Sequence, residues 1–306
     1  MQEAAAVLDI IRKRGQKGLP LDEIYRQLFN PNLYLLAYSK IYSNDGAMTP
    51  GATKETADGM SLVKIEAIIK DLRQETYRWT PVRRVNIAKA NGKTRPLGIS
   101  TWRDKLLQEV MRLLLEAYYE PQFSPNSHGF RPGRGCETAL TSIITWPGSK
   151  WFIEGDVSKY YDTINHTRLL DILRENLKDN RFIRLTENLL KAGYLEDWKW
   201  NRTLSGTPQG SGVSPVLANI FLDRFDKYVE NELIPHHTRG ERRAKNPEYN
   251  RLLLNIYRLR KKGKFKEANK LWITLQKMPS KNTNDPNFRR LRYVRYADDV
   301  RHLTDD

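Results

Sequence analysis

Apolar positions in the first 78 residues recur at helical spacing, punctuated by turn-forming residues. A first amphipathic stretch closes at Ile11–Arg14, where Gly15 and Gly18 are expected to break it. A second helix is expected over Leu21–Phe29, ending before Asn30-Pro31, and a third over Leu33–Tyr42. Beyond a loop at Asn44–Gly51, a fourth should run from Ser61 to Tyr77, with Leu62, Ile65, Ile69 and Leu72 on one face. The pattern then turns to strand. Val82–Ala88 and Thr94–Ile99 flank Asn91-Gly92, the strongest short hairpin signal. Thr101-Trp102-Arg103-Asp104 has the form of a capping box. It opens a helix to about Tyr119, with Trp102, Leu106, Val110, Leu114 and Tyr118 as a core stripe. Another helix starts at Glu137 and runs to Ile144, and Trp151–Val157 reads as a short apolar strand. Arg168–Leu190 reads as one amphipathic helix. Ser214-Pro215 is a good helix start, serine at the cap and proline in the first turn. Leu217, Ile220, Phe221, Phe225 and Tyr228 then line one face. Residues 236–290 carry helical signals at Tyr249–Leu259 and Phe265–Leu275 and a connector at Met278–Pro286, and Leu291–Tyr296 alternates as a strand.

Composition changes the picture chiefly through charge. A chain of 306 residues with 39% hydrophobic and 29% charged residues has room for a large core and two subdomains. No apolar run reaches the ~18 residues of a membrane span, and the N-terminus lacks the pattern of a secretory signal. The single cysteine, Cys136, excludes an internal disulfide and agrees with a reducing compartment. A cytoplasmic protein, bacterial or organellar, is the expectation, with no membrane partner. The formal net charge of +16 argues for a polyanionic partner, most often nucleic acid. Glu241–Lys270 holds eleven Lys/Arg against three Glu, so half of the excess sits in about a tenth of the chain. Such clustering favours a phosphate-binding patch over a merely soluble surface, and implies salt-sensitive binding.

Candidate chemistry centres on carboxylates. Asp298 and Asp299 follow the strand Leu291–Tyr296, and can face one site together only if the chain turns there. A carboxylate pair at a tight turn suits a hard cation such as Mg²⁺, although Asp-Asp pairs are also common in solvated turns. Asp156 ends the upstream strand and supplies a second acidic site. Two strands ending in carboxylates could surround a metal pair with the ions about 3.5–4 Å apart. The hairpin and its flanks carry Arg83, Arg84, Lys89, Lys93 and Arg95, read either as a charged edge or as a flap reaching for a triphosphate. Asn126–Gly135, with Arg131 and Arg134, suggests an ordered loop near phosphates, in which His128 is structural. Tyr160 and Tyr161 could floor a sugar pocket or enter the core, and Asp162 reads as a helix cap. The loop Ser205–Pro215 could deliver Gln209 and backbone N–H groups to a nucleotide, or be a plain turn.

Taken in order, these residues resemble a reverse transcriptase. The set is Asp156, Tyr296-Ala297-Asp298-Asp299, Thr207-Pro208-Gln209-Gly210, Ser127-His128-Gly129-Phe130-Arg131-Pro132 and the Asn91-Gly92 hairpin. The Gly-Phe-Arg-Pro and Pro-Gln-Gly-x-x-x-Ser-Pro runs look most like the reverse transcriptase–maturases encoded by group II introns, over roughly residues 60–300. The resemblance implies an α+β right-hand polymerase with fingers and palm, a small antiparallel palm sheet packed on helices, and a helical N-terminal extension. It implies an extension at 1–78, fingers at 79–150 and a palm at 151–306 interrupted by a basic insertion at about 236–290. It also implies catalysis and two-Mg²⁺ binding by Asp156, Asp298 and Asp299. Nucleotide binding would fall to Lys89, Arg95, Gln209, Gly210 and Tyr160, with Tyr161 as its rival. The basic residues Arg131, Arg134, Arg242, Arg243, Lys261, Lys262 and Lys264 are the candidates for RNA and template. Implied partners are intron RNA, an RNA template with a DNA or RNA primer, and deoxynucleoside triphosphates.

The sequence departs from the family after Asp299. Val300-Arg301-His302-Leu303-Thr304 is a poor match to the apolar strand expected there, and the expectation is a chain without the thumb and C-terminal maturase domains. A truncated fragment is the expectation, with an exposed surface that could drive homodimer formation. The competing reading is an RNA-binding splicing module with an inactive or incidental polymerase site. A third is a retron or other bacterial reverse transcriptase.

Overall fold

The computed structural model describes residues 3–44, 46–88, 92, 94–146, 151–157, 160–196, 199–201, 203, 205–206 and 210–304. The strands are β1 (Val82–Ala88), β2 (Thr94–Ile99), β3 (Trp151–Asp156), β4 (Tyr194–Glu196), β5 (Lys199–Asn201), β6 (Leu291–Tyr296) and β7 (Asp299–Thr304). The strands form two sheets, ordered β2-β1-β4-β5 and β3-β7-β6. The architecture is the α+β one expected of fingers and palm. The chain divides into two compact units, Met1–Gly135 with Val157–Asp226, and Cys136–Asp156 with Lys227–Asp306.

The first unit is built around the helix Trp102–Tyr119. Thr101 caps it: the Asp104 backbone N–H donates to Thr101 Oγ1 at 3.3 Å, and the hydroxyl donates to the Asp104 carboxylate at 2.7 Å. The expected stripe is fully buried, and so are Leu107, Met111, Leu113 and Leu115, because helices pack around it on more than one side. Asp104 is buried yet satisfied by the Tyr77 hydroxyl at 2.7 Å and the Thr80 N–H at 3.1 Å. Burial still pushes its carboxyl above the usual value.

Several expected boundaries move, each for a tertiary reason. The first helix runs Ala4–Gln16, straight through Gly15, and it is Gly18, at φ 62°, that leaves the helical conformation. Gly15 has no room for a Cβ, which would strike the Tyr118 carbonyl. The second helix shrinks to Ile24–Gln27, and the single helix expected over Arg168–Leu190 is two, His166–Asn176 and Asn180–Lys191. One contact explains both changes. Leu21 and Leu177 form a parallel bridge, with the Leu21 N–H on Asn176 O and the Lys178 N–H on Leu21 O, both 2.8 Å. The fourth helix stops at Arg73, after which Glu75 takes φ 55° and Tyr77 turns in towards Asp104. On that helix Ile68 is buried and Leu62 exposed, contrary to the expected face. Asp162 lies inside the short helix Tyr160–Thr163, and the cap of the next helix is Asn165, which accepts from the Arg168 N–H. On Ser214–Tyr228 the buried side is Val216, Leu217 and Ile220, while Phe225 and Tyr228 are exposed.

The expected hairpin has the predicted strands, paired Arg83↔Ile99 through Ala88↔Thr94. Strands β4 and β5, which periodicity did not predict, extend it, β4 running parallel to β1. β4 covers only the start of β1, at Val82 and Arg83, and β2 and β5 are the outer strands of the sheet. Arg84 is accordingly taken up by Glu196 at 3.5 Å and stacks 3.9 Å over the Tyr194 ring.

In the second unit β7 is the middle strand, paired with β3 and β6 along its length. The segment judged a poor strand by hydropathy is therefore held by backbone bonds on both sides, which do not depend on side-chain polarity. On one face Tyr293 packs with Val229, Leu233 and Ile234. On the other, Val294 and Tyr296 share a cavity of about 260 Å³ with the helix Cys136–Ile144. The basic segment folds as its own pair of helices, Pro247–Lys261 and Phe265–Gln276, around Ile256, Ala268 and Leu275. Its ends are joined, Arg239 and Arg289 exchanging backbone bonds of 2.9 and 3.1 Å.

Candidate active site

The carboxylates lie in the second unit and are placed by strand register. Tyr296 pairs with Asp299, leaving Ala297-Asp298 as a two-residue turn between β6 and β7. Asp299 is also directly opposite Asp156 on β3. Directly opposed residues project from the same face with Cβ atoms about 5 Å apart. Asp299 lines the cavity beside Tyr296, Val294, Cys136, Ala139, Leu140 and Ile143. Asp156 and Asp299 are exposed and Asp298 is half-buried. Among the described residues no group of three or more His, Cys, Asp or Glu side chains gathers to hold a metal. The observed arrangement is a cross-strand carboxylate pair with a third carboxylate in the adjoining turn.

The turn is strained. Ala297 has φ 54°, a left-handed conformation that favours glycine, and is nearly buried. Arg295, 0% exposed, donates from Nη1 to the Ala297 carbonyl at 2.6 Å. Sequence reasoning missed this arginine: alternation along β6 puts it on the face of Leu291 and Tyr293, but its charge gave no sign that it is buried there.

The nucleotide candidates lie in the first unit. Lys89 and Gln209 are outside the described residues, and of Arg95 only the backbone, paired with Ile87, is described. Gly210 has φ 95° and sits so close to β2 that a Cβ would strike the Gly98 carbonyl and the Leu97 side chain. The same loop is tied at two further points. Gly212 N–H donates to Gln108 Oε1 at 3.3 Å, and Gln108 Nε2 donates to Ser100 Oγ at 3.2 Å. Upstream, Gly206 N–H donates to Ile164 O and Ser205 Oγ to Asp162 O, both 2.8 Å, while His166 Nε2 meets Gly206 O at 2.6 Å. The loop thus joins β2 to the segment bearing the two tyrosines. Tyr160 is buried, its hydroxyl donating to Ala218 O at 2.9 Å, whereas Tyr161 is half-buried against the edge of Phe130. Gln108, Ser100 and His166 carried no motif and went unnoticed in the sequence.

The basic candidates separate by burial. Arg131 is buried, and its guanidinium is spent on Glu120 at 2.8 Å and on the carbonyls of Ser124 and Ser127 at 2.5 and 2.7 Å. This corrects the reading of Arg131 as an RNA contact: its donors face into the loop and order it. Arg134 donates to Pro125 O at 2.5 Å and is half-buried. Asn219 holds the same loop through Gly129 O at 2.9 Å. His128 is buried as expected of a structural residue, and burial with Arg134 and Arg131 nearby lowers its pKa. Arg242, Lys261, Lys262 and Lys264 are exposed on the helical pair, and Arg243 lies 5.0 Å over the Phe288 ring.

The family described as reverse transcriptase (RNA-dependent DNA polymerase) matches residues 87–248, more than half of the chain. The chain belongs to the reverse transcriptase family. It is 42% identical to the group II intron-encoded protein LtrA of Lactococcus lactis, over 98% of this chain and 52% of that protein. It is also 42% identical to an uncharacterized 91 kDa protein in the cob intron of Schizosaccharomyces pombe, over 95% of this chain and 37% of that one. A solved partial Cas6-RT-Cas1–Cas2 complex is similar at 18% identity and TM-score 0.48, covering 93% of this chain and 39% of that one. The reverse transcriptase chain thus spans about half the length of LtrA, and no described helix is long and apolar enough to cross a membrane. Reverse transcriptases act on nucleic acid with divalent metal, which agrees with a net charge of +16 and with carboxylates at the β6–β7 turn.

Proposed function

We propose that the protein is the RNA-directed DNA polymerase portion of a group II intron maturase, extending a primer 3′-hydroxyl on an RNA template. The observation that carries this reading is the register that sets Asp156 opposite Asp299, with Asp298 in the turn between β6 and β7. In this reading Asp156, Asp298 and Asp299 hold two Mg²⁺ ions. Carboxylate oxygens are the donors such cations take, and what supports the reading is the strand register, Asp156 opposite Asp299 with Asp298 in the adjoining turn, since the three side chains are not gathered around one point. When bound, the cations supply a lowered pKa for the primer hydroxyl and neutralisation of phosphate charge.

The chain's own residues position the reactants, which is where most of the rate in phosphoryl transfer arises. The primer oxygen attacks the α-phosphate of the incoming nucleotide, and pyrophosphate leaves. Lys89 and Arg95 on the hairpin neutralise the triphosphate, and Gln209 and Gly210 line its pocket. Tight apposition of Gly210 to β2 supports this, since it ties the loop to the hairpin's second strand. Of the two rings, Tyr161 leaves more surface for a sugar, and Tyr160 backs it from the core at 5.5 Å. The functional segments are a helical extension (1–78), fingers (79–150) and palm (151–306) with its insertion at about 236–290; the two compact units cut across them. Intron RNA is the partner assigned to the exposed basic residues Arg242, Lys261, Lys262 and Lys264.

Primer extension on an RNA template with Mg²⁺ tests the reading. Asp298→Asn should lower extension at least about a hundredfold, the scale of losing one electrostatic element of such a site. Equal extension by the variant and the unmutated protein would sink the polymerase assignment. The basic helical pair favours a second reading, an RNA-binding splicing module with an idle polymerase site. That reading predicts tight intron-RNA binding together with no extension by the unmutated protein.

A further inference from the structure

Arg295 is the largest fully buried side chain among the described residues. Taking a guanidinium out of water is costly unless geometry compensates it, and an apolar residue would fill a sheet position without that cost. Its place explains its presence. It stands two residues before the carboxylate turn and reaches forward to accept the strain of that turn, Nη1 donating to the Ala297 carbonyl at 2.6 Å. Ala297 takes φ 54°, a left-handed conformation that disfavours any residue but glycine. A two-residue turn with alanine there would relax if left to itself, and Asp298 and Asp299 would move with it.

We infer that Arg295 is a positioning residue: it clamps Ala297 in its left-handed conformation and so sets where the Asp298 and Asp299 carboxylates stand relative to Asp156. Its Nη1 holds the backbone of the turn, and through it Arg295 acts on the carboxylates. The inference rests on the polymerase reading for the purpose of the clamp, but the clamp itself is a property of the β6–β7 turn. Arginine suits the task because its planar fork gives several fixed N–H donors, whereas lysine offers a mobile point charge. Charge alone therefore does not replace it.

The test uses Arg295→Lys, Arg295→Met, Ala297→Gly and the double variant Arg295→Lys/Ala297→Gly in the whole chain. Three readouts are taken: amide hydrogen exchange over residues 296–300, Mn²⁺ binding followed by electron paramagnetic resonance, and the Mg²⁺ midpoint of primer extension. Asp298→Asn serves as the reference for site-specific Mn²⁺. With the clamp as inferred, Arg295→Lys accelerates exchange in the turn and weakens Mn²⁺ about tenfold, the usual scale for a residue that orients metal ligands. Ala297→Gly, which removes the φ penalty, recovers most of that loss in the lysine background. A merely structural arginine would not be rescued by a glycine in the turn. Unchanged exchange and Mn²⁺ affinity in a folded Arg295→Lys overturn the inference. So does loss of the folded state in both arginine variants without recovery by Ala297→Gly, because Arg295 would then be a fold residue. If the unmutated protein neither extends primers nor binds Mn²⁺ through Asp298, the polymerase reading fails instead, and exchange in the turn still decides the clamp.

Discussion

Gly15 carries a consequence of scale beyond its size. Replacing a helical glycine with alanine ordinarily gains up to about 1 kcal/mol. Here the added carbon would meet the Tyr118 carbonyl of the central helix, a backbone atom that cannot swing away. Overpacking of this kind costs about 1–3 kcal/mol, so the clash wins. Gly15→Ala is expected to lower the urea midpoint, and an unchanged or raised midpoint would show that the two helices can part. His128 makes a second residue-scale prediction. Burial, with Arg134 and Arg131 alongside, holds its folded pKa below the ordinary 6.5. The unfolded chain then takes up the proton first as pH falls. The contribution of neutral His128 is fully present above about 6.5 and is lost progressively below it, until the folded pKa is reached. Stability should therefore fall from about pH 7.5 to about pH 5.5 more steeply in the unmutated protein than in His128→Gln. Parallel urea-midpoint profiles for the two proteins would refute this.

Among elements, the joint at residues 177–179 shows how far a local pattern can be overruled. Hydrophobic spacing continues from Arg168 to Leu190 without a break, and neither proline nor glycine interrupts it. The helix nevertheless splits, because Asn176 and Lys178 give their backbone groups to Leu21. Asp179 then serves two partners. It caps the following helix through the Arg181 N–H at 3.1 Å, and it accepts the Tyr25 N–H at 3.0 Å. A lost cap costs about 1 kcal/mol and an orphaned buried N–H about 1–3 kcal/mol. Asp179→Ala should thus destabilise by about 2–4 kcal/mol, measurable by equilibrium denaturation, and a loss under about 1 kcal/mol would mean that water replaces the Tyr25 contact. The basic helical pair is the opposite case, an element legible from its own pattern. Its two helices share a private core, and Arg239 and Arg289 close its base. Excising residues 241–287 and joining the ends by a short turn should leave the β3-β7-β6 sheet folded, with the thermal midpoint within a few degrees. Collapse of the sheet would show that the pair supports it.

For the molecule as a whole, charge sets the behaviour towards RNA. With a net +16, the logarithm of the affinity should fall linearly with the logarithm of salt concentration. Excision of the helical pair, which carries about half of the excess, should reduce that slope as well as the affinity. An unchanged slope would place the RNA surface elsewhere.

What the residues alone determined was local and chemical. The hairpin β1–β2, the capped helix at Trp102, the strands β3 and β6 and the carboxylates at their ends follow from alternation, turn chemistry and capping, which act within a few residues. The excess of positive charge and the ordered motifs pointed to a nucleic-acid polymerase for the same reason, since each motif is a short run of side chains. Tertiary structure decided whatever depends on a distant partner. It made β7 the central strand despite its polar side chains, because backbone bonds on both sides hold it. It turned Arg131 inward to Glu120, placed Gly210 against β2 and buried Arg295 beneath the Ala297 carbonyl. These are contacts between residues whose spacing along the chain carries no periodic signal, or whose polarity predicts the opposite environment. Register brought Asp156 and Asp299 opposite one another, and register is a property of paired strands that neither strand possesses alone.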